Sequence, residues 1–154
     1  MLLLKQPNSW SCSITAAAMV MGVAVEELIA TVGHDGSEII HPDLKGPAQR
    51  KGFHTQEIID IALARGFAVT PIEPRPVQTV YGDDEFVLQF DENRFHNHLK
   101  CCDGILCGKA RTYWHAVAWN HEEGKIYDPQ GRIYPLDDCK INIQIFWRFN
   151  LVLV

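Results

Sequence analysis

Apolar residues at helical spacing are concentrated in the first 66 residues, and β-branched and aromatic runs fill most of the remaining chain. This division limits the chain to folds in which a helical layer packs on a sheet built mainly from the C-terminal half. Ile14, Ala17, Ala18 and Met21 share one face of a helix expected from about Cys12 to Met21, with Ser9 or Ser11 as cap and Gly22 as stop. Val25, Leu28, Ile29 and Val32 predict a second helix, with Glu26 and Glu27 in its first turn and Gly33 after its end; the two should form a hairpin. A third helix is expected in TQEIIDIALARG, capped by Thr55, with Ile58, Ile61 and Ala62 inward and Gly66 at its end.

From Phe67 onward the pattern changes. Phe67 to Ile72 reads as a strand. PVQTVY and EFVLQF, among Pro71, Pro74 and Pro76, read as short strands around the turn residues Gly82, Asp83 and Asp84. ENRFHNHLK suits one or two helical turns. GILCGKA, YWHAVAWN and GKIYDP are apolar runs of strand length, and INIQIFWRFNLVLV suits a buried strand. The expected class is α+β, with N-terminal helices packed on an antiparallel sheet.

With 154 residues, of which 47% are hydrophobic and 21% charged, the chain is expected to form one domain spanning 1–154. His34 to His54, with Gly36, Pro42, Gly46, Pro47 and Gly52, reads as a surface excursion long enough to be functional. A net charge of −5 argues against a nucleic-acid partner, because phosphate recognition needs clustered Lys and Arg. The opening MLLLKQP is too short an apolar run for a signal or a membrane span. Five cysteines, an odd number unevenly spaced, suit reduced thiols and a cytoplasmic protein.

The residues that carry chemistry begin with QPNSWSCSITAAAMVMG. Its cysteine, Cys12, falls in the first turn of the first helix, where unpaired N–H groups and the helix dipole favour a thiolate and can hold an oxyanion. A thiolate nucleophile needs an imidazole, and the imidazole needs a third group to fix its tautomer. His115 lies within the apolar run YWHAVAWN, where burial demands partners for its ring nitrogens. If residues 121–124 close a hairpin, Asn120 faces Lys125 and Asp128 falls opposite Val117, diagonal to His115 and on its face. Gln6, six residues before Cys12, has an amide that could donate to the oxyanion beside the Cys12 N–H.

Together these residues resemble a known family. The glutamine, a cysteine six positions on at a helix start followed by AAAM, a strand histidine before apolar residues, and the Asp128–Pro129 pair are similar to the papain-like peptidases that cleave double-glycine leaders from bacteriocins. The resemblance implies a two-lobed papain-like cysteine peptidase fold. It also implies a triad of Cys12, His115 and Asp128, with Gln6 completing the oxyanion hole, acting on a peptide or protein substrate without a cofactor. Ser11 and Ser13 replace the acidic residue and the glycine that usually flank the family's cysteine, and leader processing coupled to an attached transporter is not expected.

Other readings compete. The same triad serves a side-chain deamidase or transglutaminase, which differs in the acceptor that reaches the thioester. An inactive cleft could simply grip a peptide. His96, His98, Cys101, Cys102 and Cys107 offer nitrogen and sulfur ligands for zinc, but without a C-x₂-C pair they read better as a helix surface followed by a core strand. Trp10 and Trp114, close in sequence to Cys12 and His115, could wall a cleft or belong to the core.

Overall fold

The computed structural model describes residues 1–38, 51–74, 78–81, 84–87 and 93–152. Pro42, Gly46 and Pro47 of the excursion, Pro76, the turn residues Gly82 and Asp83, and Leu153 and Val154 lie outside them. The order of elements is α1 (Cys12–Met21), α2 (Val25–Val32), α3 (Thr55–Ala64), β1 (Phe67–Ile72), β2 (Gln78–Tyr81), β3 (Asp84–Val87), α4 (Arg94–Cys101), β4 (Gly104–Ala110), β5 (Tyr113–Asn120), β6 (Lys125–Asp128), β7 (Arg132–Pro135), a 3-10 turn at Leu136–Asp138, and β8 (Asn142–Leu151). Six strands form one antiparallel sheet in the order β1-β8-β4-β5-β6-β7, and β2 pairs with β3 in a separate ribbon. The class is α+β.

The helix boundaries follow the apolar spacing, but the caps differ from expectation. Ser11 occupies the cap position of α1 without a side-chain bond to the helix; its hydroxyl donates instead to Asn8 Oδ1 at 2.6 Å. His54, not Thr55, caps α3, its Nδ1 accepting from the Gln56 N–H at 3.0 Å. Helices α1 and α2 meet at a bend of 115°, more open than a hairpin. Among the described residues no single helix is long and apolar enough to cross a membrane.

The sheet is buried on both faces, which explains why β4 and β5 read as continuous apolar runs. On one face Ile105, Cys107, Ala116, Ala118, Tyr127 and Phe149 pack against α1, α2 and α3 through Ile14, Ala17, Leu28, Ile58 and Ala62. On the other, Leu106, Val117, Trp119, Ile126 and Phe146 pack with Leu99 of α4 and with Ile141. Adjacent residues of one strand, such as Ala116 and Val117, therefore serve opposite cores, as the two-residue period of a strand requires. Helix α1 is buried from Ile14 through Met19, on more than one face. The small side chains of its AAA run allow that close seating.

Strand β8 ends the described chain yet lies in the sheet interior, between β1 and β4. Its approach to β4 leaves no room for side chains at Gly104 and Gly108: a Cβ at Gly104 would run into the Trp147 carbonyl and the Phe146 ring, and one at Gly108 into the Asn142 carbonyl. Both obstacles include backbone, which cannot rotate away. Gly104→Ala is expected to destabilise the protein by about 2–3 kcal/mol in urea unfolding, as overpacking of a closed core does. An unchanged midpoint would mean that β8 is not seated this closely.

Candidate active site

Cys12 is the first residue of α1 and is half-buried. The first helical bond runs from the Thr15 N–H to the Ser11 carbonyl at 3.1 Å, so the N–H groups of Cys12, Ser13 and Ile14 are not used within the helix. No carboxylate stands in the first turn to neutralise them. Such an end stabilises a negative sulfur or oxygen placed against it. The preceding loop is folded about Asn8, whose Oδ1 accepts from the Trp10 N–H at 3.1 Å as well as from Ser11.

His115 and Asp128 come together as the hairpin geometry requires. Asn120 pairs with Lys125, Trp119 with Ile126 and Ala118 with Tyr127, so that one further step sets Asp128 opposite Val117. The ladder between β5 and β6 stops at Ala118 and Tyr127, and beyond it the diagonal His115 Nε2 donates to Asp128 Oδ1 at 2.9 Å. Both residues are nearly sealed from water, at 4% and 2% exposure. With Nε2 committed to Asp128, Nδ1 is the ring nitrogen left open, and the Cys12 sulfur lies close enough to favour the charged imidazole. Burial disfavours the imidazolium, but the bonds and charges of Asp128 and Cys12 outweigh it and push His115 up to about 9. Asp128 moves the other way: burial disfavours its carboxylate, and the bonds from His115, the Gln130 N–H and Tyr134 more than offset this and hold it below the ordinary carboxylate value.

Two supporting residues escaped the sequence reading. Strand β7 folds back on β6, with Asp128 opposite Arg132, and delivers the Tyr134 hydroxyl to Asp128 Oδ2 at 2.9 Å. The Gln130 N–H donates to Oδ1 at 2.9 Å from the turn between these strands. Asp128 thus has a partner on each oxygen. Burial and the neighbouring Asp128 charge raise the Tyr134 hydroxyl pKa, so it remains a donor. The RIYP run after the DPQG turn was the available signal, since its length and spacing suit a return strand.

Gln6 is anchored beside the pair: its N–H donates to the carbonyl of Pro129, next to Asp128, at 2.8 Å. Its side-chain Nε2 donates to the Asn8 carbonyl at 2.7 Å, which fixes the amide, while the buried Oε1 has no partner among the described residues. Trp10 belongs to the neighbouring loop, with its indole N–H on the Asp35 carbonyl at 2.9 Å and the Lys51 ammonium over its ring. Trp114 is 57% exposed and belongs to neither core. The aromatic ring against the site is Tyr113, edge-on to His115 with centroids 5.9 Å apart. A cleft of about 520 Å³ opens beside the pair, with Tyr113, His115, Asp128, Gln130 and Tyr134 in its walls.

The second cluster of potential ligands is dispersed. Arg148 donates to His98 Nδ1 at 2.8 Å, the Cys102 thiol donates to Asn150, and Cys107 lies inside the core on β4. Among the described residues no group of three or more His, Cys, Asp or Glu could hold a metal ion. All five cysteines are unpaired. No protein-family model and no curated protein matches the chain.

The two shifts give stability a defined pH dependence. Folding raises His115 from 6.5 to about 9, so its contribution is complete below about pH 6.5 and is lost as pH rises through about 9. Asp128, lowered from 3.8, contributes above that value and loses its contribution on acidification. At roughly 1.4 kcal/mol per pKa unit, the stability advantage of the parent over His115→Gln should shrink by up to about 3 kcal/mol between pH 6.5 and 9.5 in urea titrations. A constant difference across that window would show that the imidazolium is not held by this pair.

Proposed function

We propose that this chain is a cysteine peptidase of papain-like fold, hydrolysing a peptide or isopeptide bond through Cys12, His115 and Asp128 with Gln6 as oxyanion donor. The observation that carries the reading is a buried imidazole bonded through Nε2 to the Asp128 carboxylate at 2.9 Å, whose charged form is favoured both by that carboxylate and by the Cys12 thiol at the tip of α1. Here the ring acts together with a half-buried thiol, which lies at a helix end whose first N–H groups are not used within the helix.

In this mechanism the Cys12 sulfur attacks the scissile carbonyl, and the oxyanion is received by the Cys12 N–H and by the second Nε2 hydrogen of Gln6, the first being used by Asn8. The imidazolium of His115 gives its proton to the leaving amine, and the acyl group remains on sulfur as a thioester. Neutral His115 then takes a proton from water, whose oxygen attacks the thioester and releases the acid. Asp128 keeps the ring oriented and stabilises its charged form, and Tyr134 and Gln130 keep Asp128 in place. The resemblance to leader-cleaving peptidases supports a peptide substrate, and five unpaired thiols support a cytoplasmic setting.

Thiol labelling tests the nucleophile with an internal control. Cys101 is exposed and Cys12 only half so, and exposure alone would make Cys101 react first with iodoacetamide at neutral pH. The triad makes Cys12 faster by about tenfold or more, read by peptide mapping of a time course. Slower labelling of Cys12 would point to a cleft that binds peptides without cutting them. Once a hydrolysed peptide is in hand, Cys12→Ala should abolish turnover and Gln6→Ala should lower kcat by about a hundredfold to a thousandfold, the usual loss for one oxyanion donor. An unaltered rate in the second variant would remove Gln6 from the site.

A further inference from the structure

We infer that the cleft walled by His115 and Asp128 is the subsite for the amine half of the substrate, and that it selects a segment carrying a carboxylate. The inference rests on the peptidase reading above and specifies the substrate class for that site.

The position of the cleft is set by the proton. When an amide is cut by a thiolate, its acyl half stays on sulfur and its amine half departs toward the group that protonates it. Here that group is His115. The cleft includes His115 and Asp128 in its walls but not Cys12, Gln6 or Trp10, so it extends from the proton donor and away from the nucleophile and its oxyanion donor. Its volume of about 520 Å³ lies in the range that takes a small ligand or a residue or two of peptide.

Charge decides what fits. The Asp128 carboxylate is already engaged by His115, Gln130 and Tyr134. The remaining ionic groups in the walls are Arg132, Lys140 and Asp138, two cations against one anion in a chain of net charge −5. Among the described residues neither Arg132 nor Lys140 forms an ion pair. Arg132 is directly opposite Asp128 in the β6–β7 ladder, and its guanidinium lies over the Tyr134 ring, 5.8 Å from the centroid. It is therefore held in the wall of the cleft against the same tyrosine that orients Asp128. A carboxylate on the departing segment would meet these two cations, and a basic one would be repelled.

The reverse of the leaving step gives the test, because an amine bound in this cleft attacks the thioester in place of water. Its nitrogen bonds to the acyl carbon, the C–S bond breaks and leaves sulfur as thiolate, and the proton lost by the amine goes to neutral His115. The protein is acetylated with p-nitrophenyl acetate, and the acetyl group is partitioned between water and two isosteric acceptors, glutamic acid α-amide and glutamine α-amide, with products counted by mass spectrometry. The charged acceptor should capture about fivefold more acetyl than the neutral one at low ionic strength, and 0.5 M salt should narrow the ratio. The double variant Arg132→Gln and Lys140→Gln should bring the ratio to about one, whereas Lys125→Gln, at the far end of β6, should keep the parent ratio. Acetylation of Cys12 with equal capture of the two acceptors would overturn the carboxylate subsite and leave the triad standing. Failure of Cys12 to acetylate would overturn both.

Discussion

The hydrogen bond from His115 to Asp128 is the interaction around which this site is organised, and it exists because two paired strands stop pairing. As long as β5 and β6 are laddered, their polar backbone atoms face each other and nothing can enter between them. Beyond Ala118 and Tyr127 the ladder ends, and a side chain from each strand closes the gap instead. An imidazole and a carboxylate this deeply buried would each be costly alone. Paired and braced by Tyr134 and the Gln130 N–H, they become a rigid element whose second ring nitrogen is available to the thiol.

That arrangement explains the placement of the N-terminal segment. The Gln6 N–H is fixed to the Pro129 carbonyl, and Asn8 holds both Trp10 and Ser11, so the six residues before Cys12 run from the Asp128 turn to the tip of α1 without slack. Helix α1 is then held against β5, with Ala16, Ala17 and Ala18 all fully buried in the core the two share. A larger residue in that run would lift the helix and move Cys12 with it. Packing of alanines in the core and the position of the sulfur are thus one constraint, expressed at two places along the same helix.

Much of this was legible in the residues. The spacing of Ile14, Ala17 and Ala18 located α1, and the length of the loop after Asn120 fixed the register that sets Asp128 diagonal to His115. Both are local periodicities, which a sequence carries openly. The caps were less legible: Ser11 has the right chemistry to cap α1 but is drawn away by Asn8, and His54 takes the place expected of Thr55. Strand β7 was missed because its four residues are exposed but for the half-buried Tyr134 and carry no alternation to detect, and with it went Tyr134, whose role depends wholly on how the hairpin folds back. The interior position of β8 was not legible either, since the composition of a strand gives its burial but not its neighbours.

That last point bears on how the site comes into being. Cys12 and Gln6 belong to the helical half of the chain, and His115 and Asp128 to the β5–β6 hairpin more than a hundred residues later. The hairpin can form by local contacts, and so can the helices. What ties the halves together is long-range: α1 packs directly on β5, Gln6 bonds the Pro129 carbonyl, and β1, packed on α3, joins the sheet through β8, which also pairs with β4. Contacts so distant in sequence form late, because the chain must close large loops before they contribute. Thiol and imidazole are therefore brought together by the seating of α1 on β5, elements about a hundred residues apart in the chain. The chemistry of the site is coupled in this way to the docking of the helical layer on the sheet.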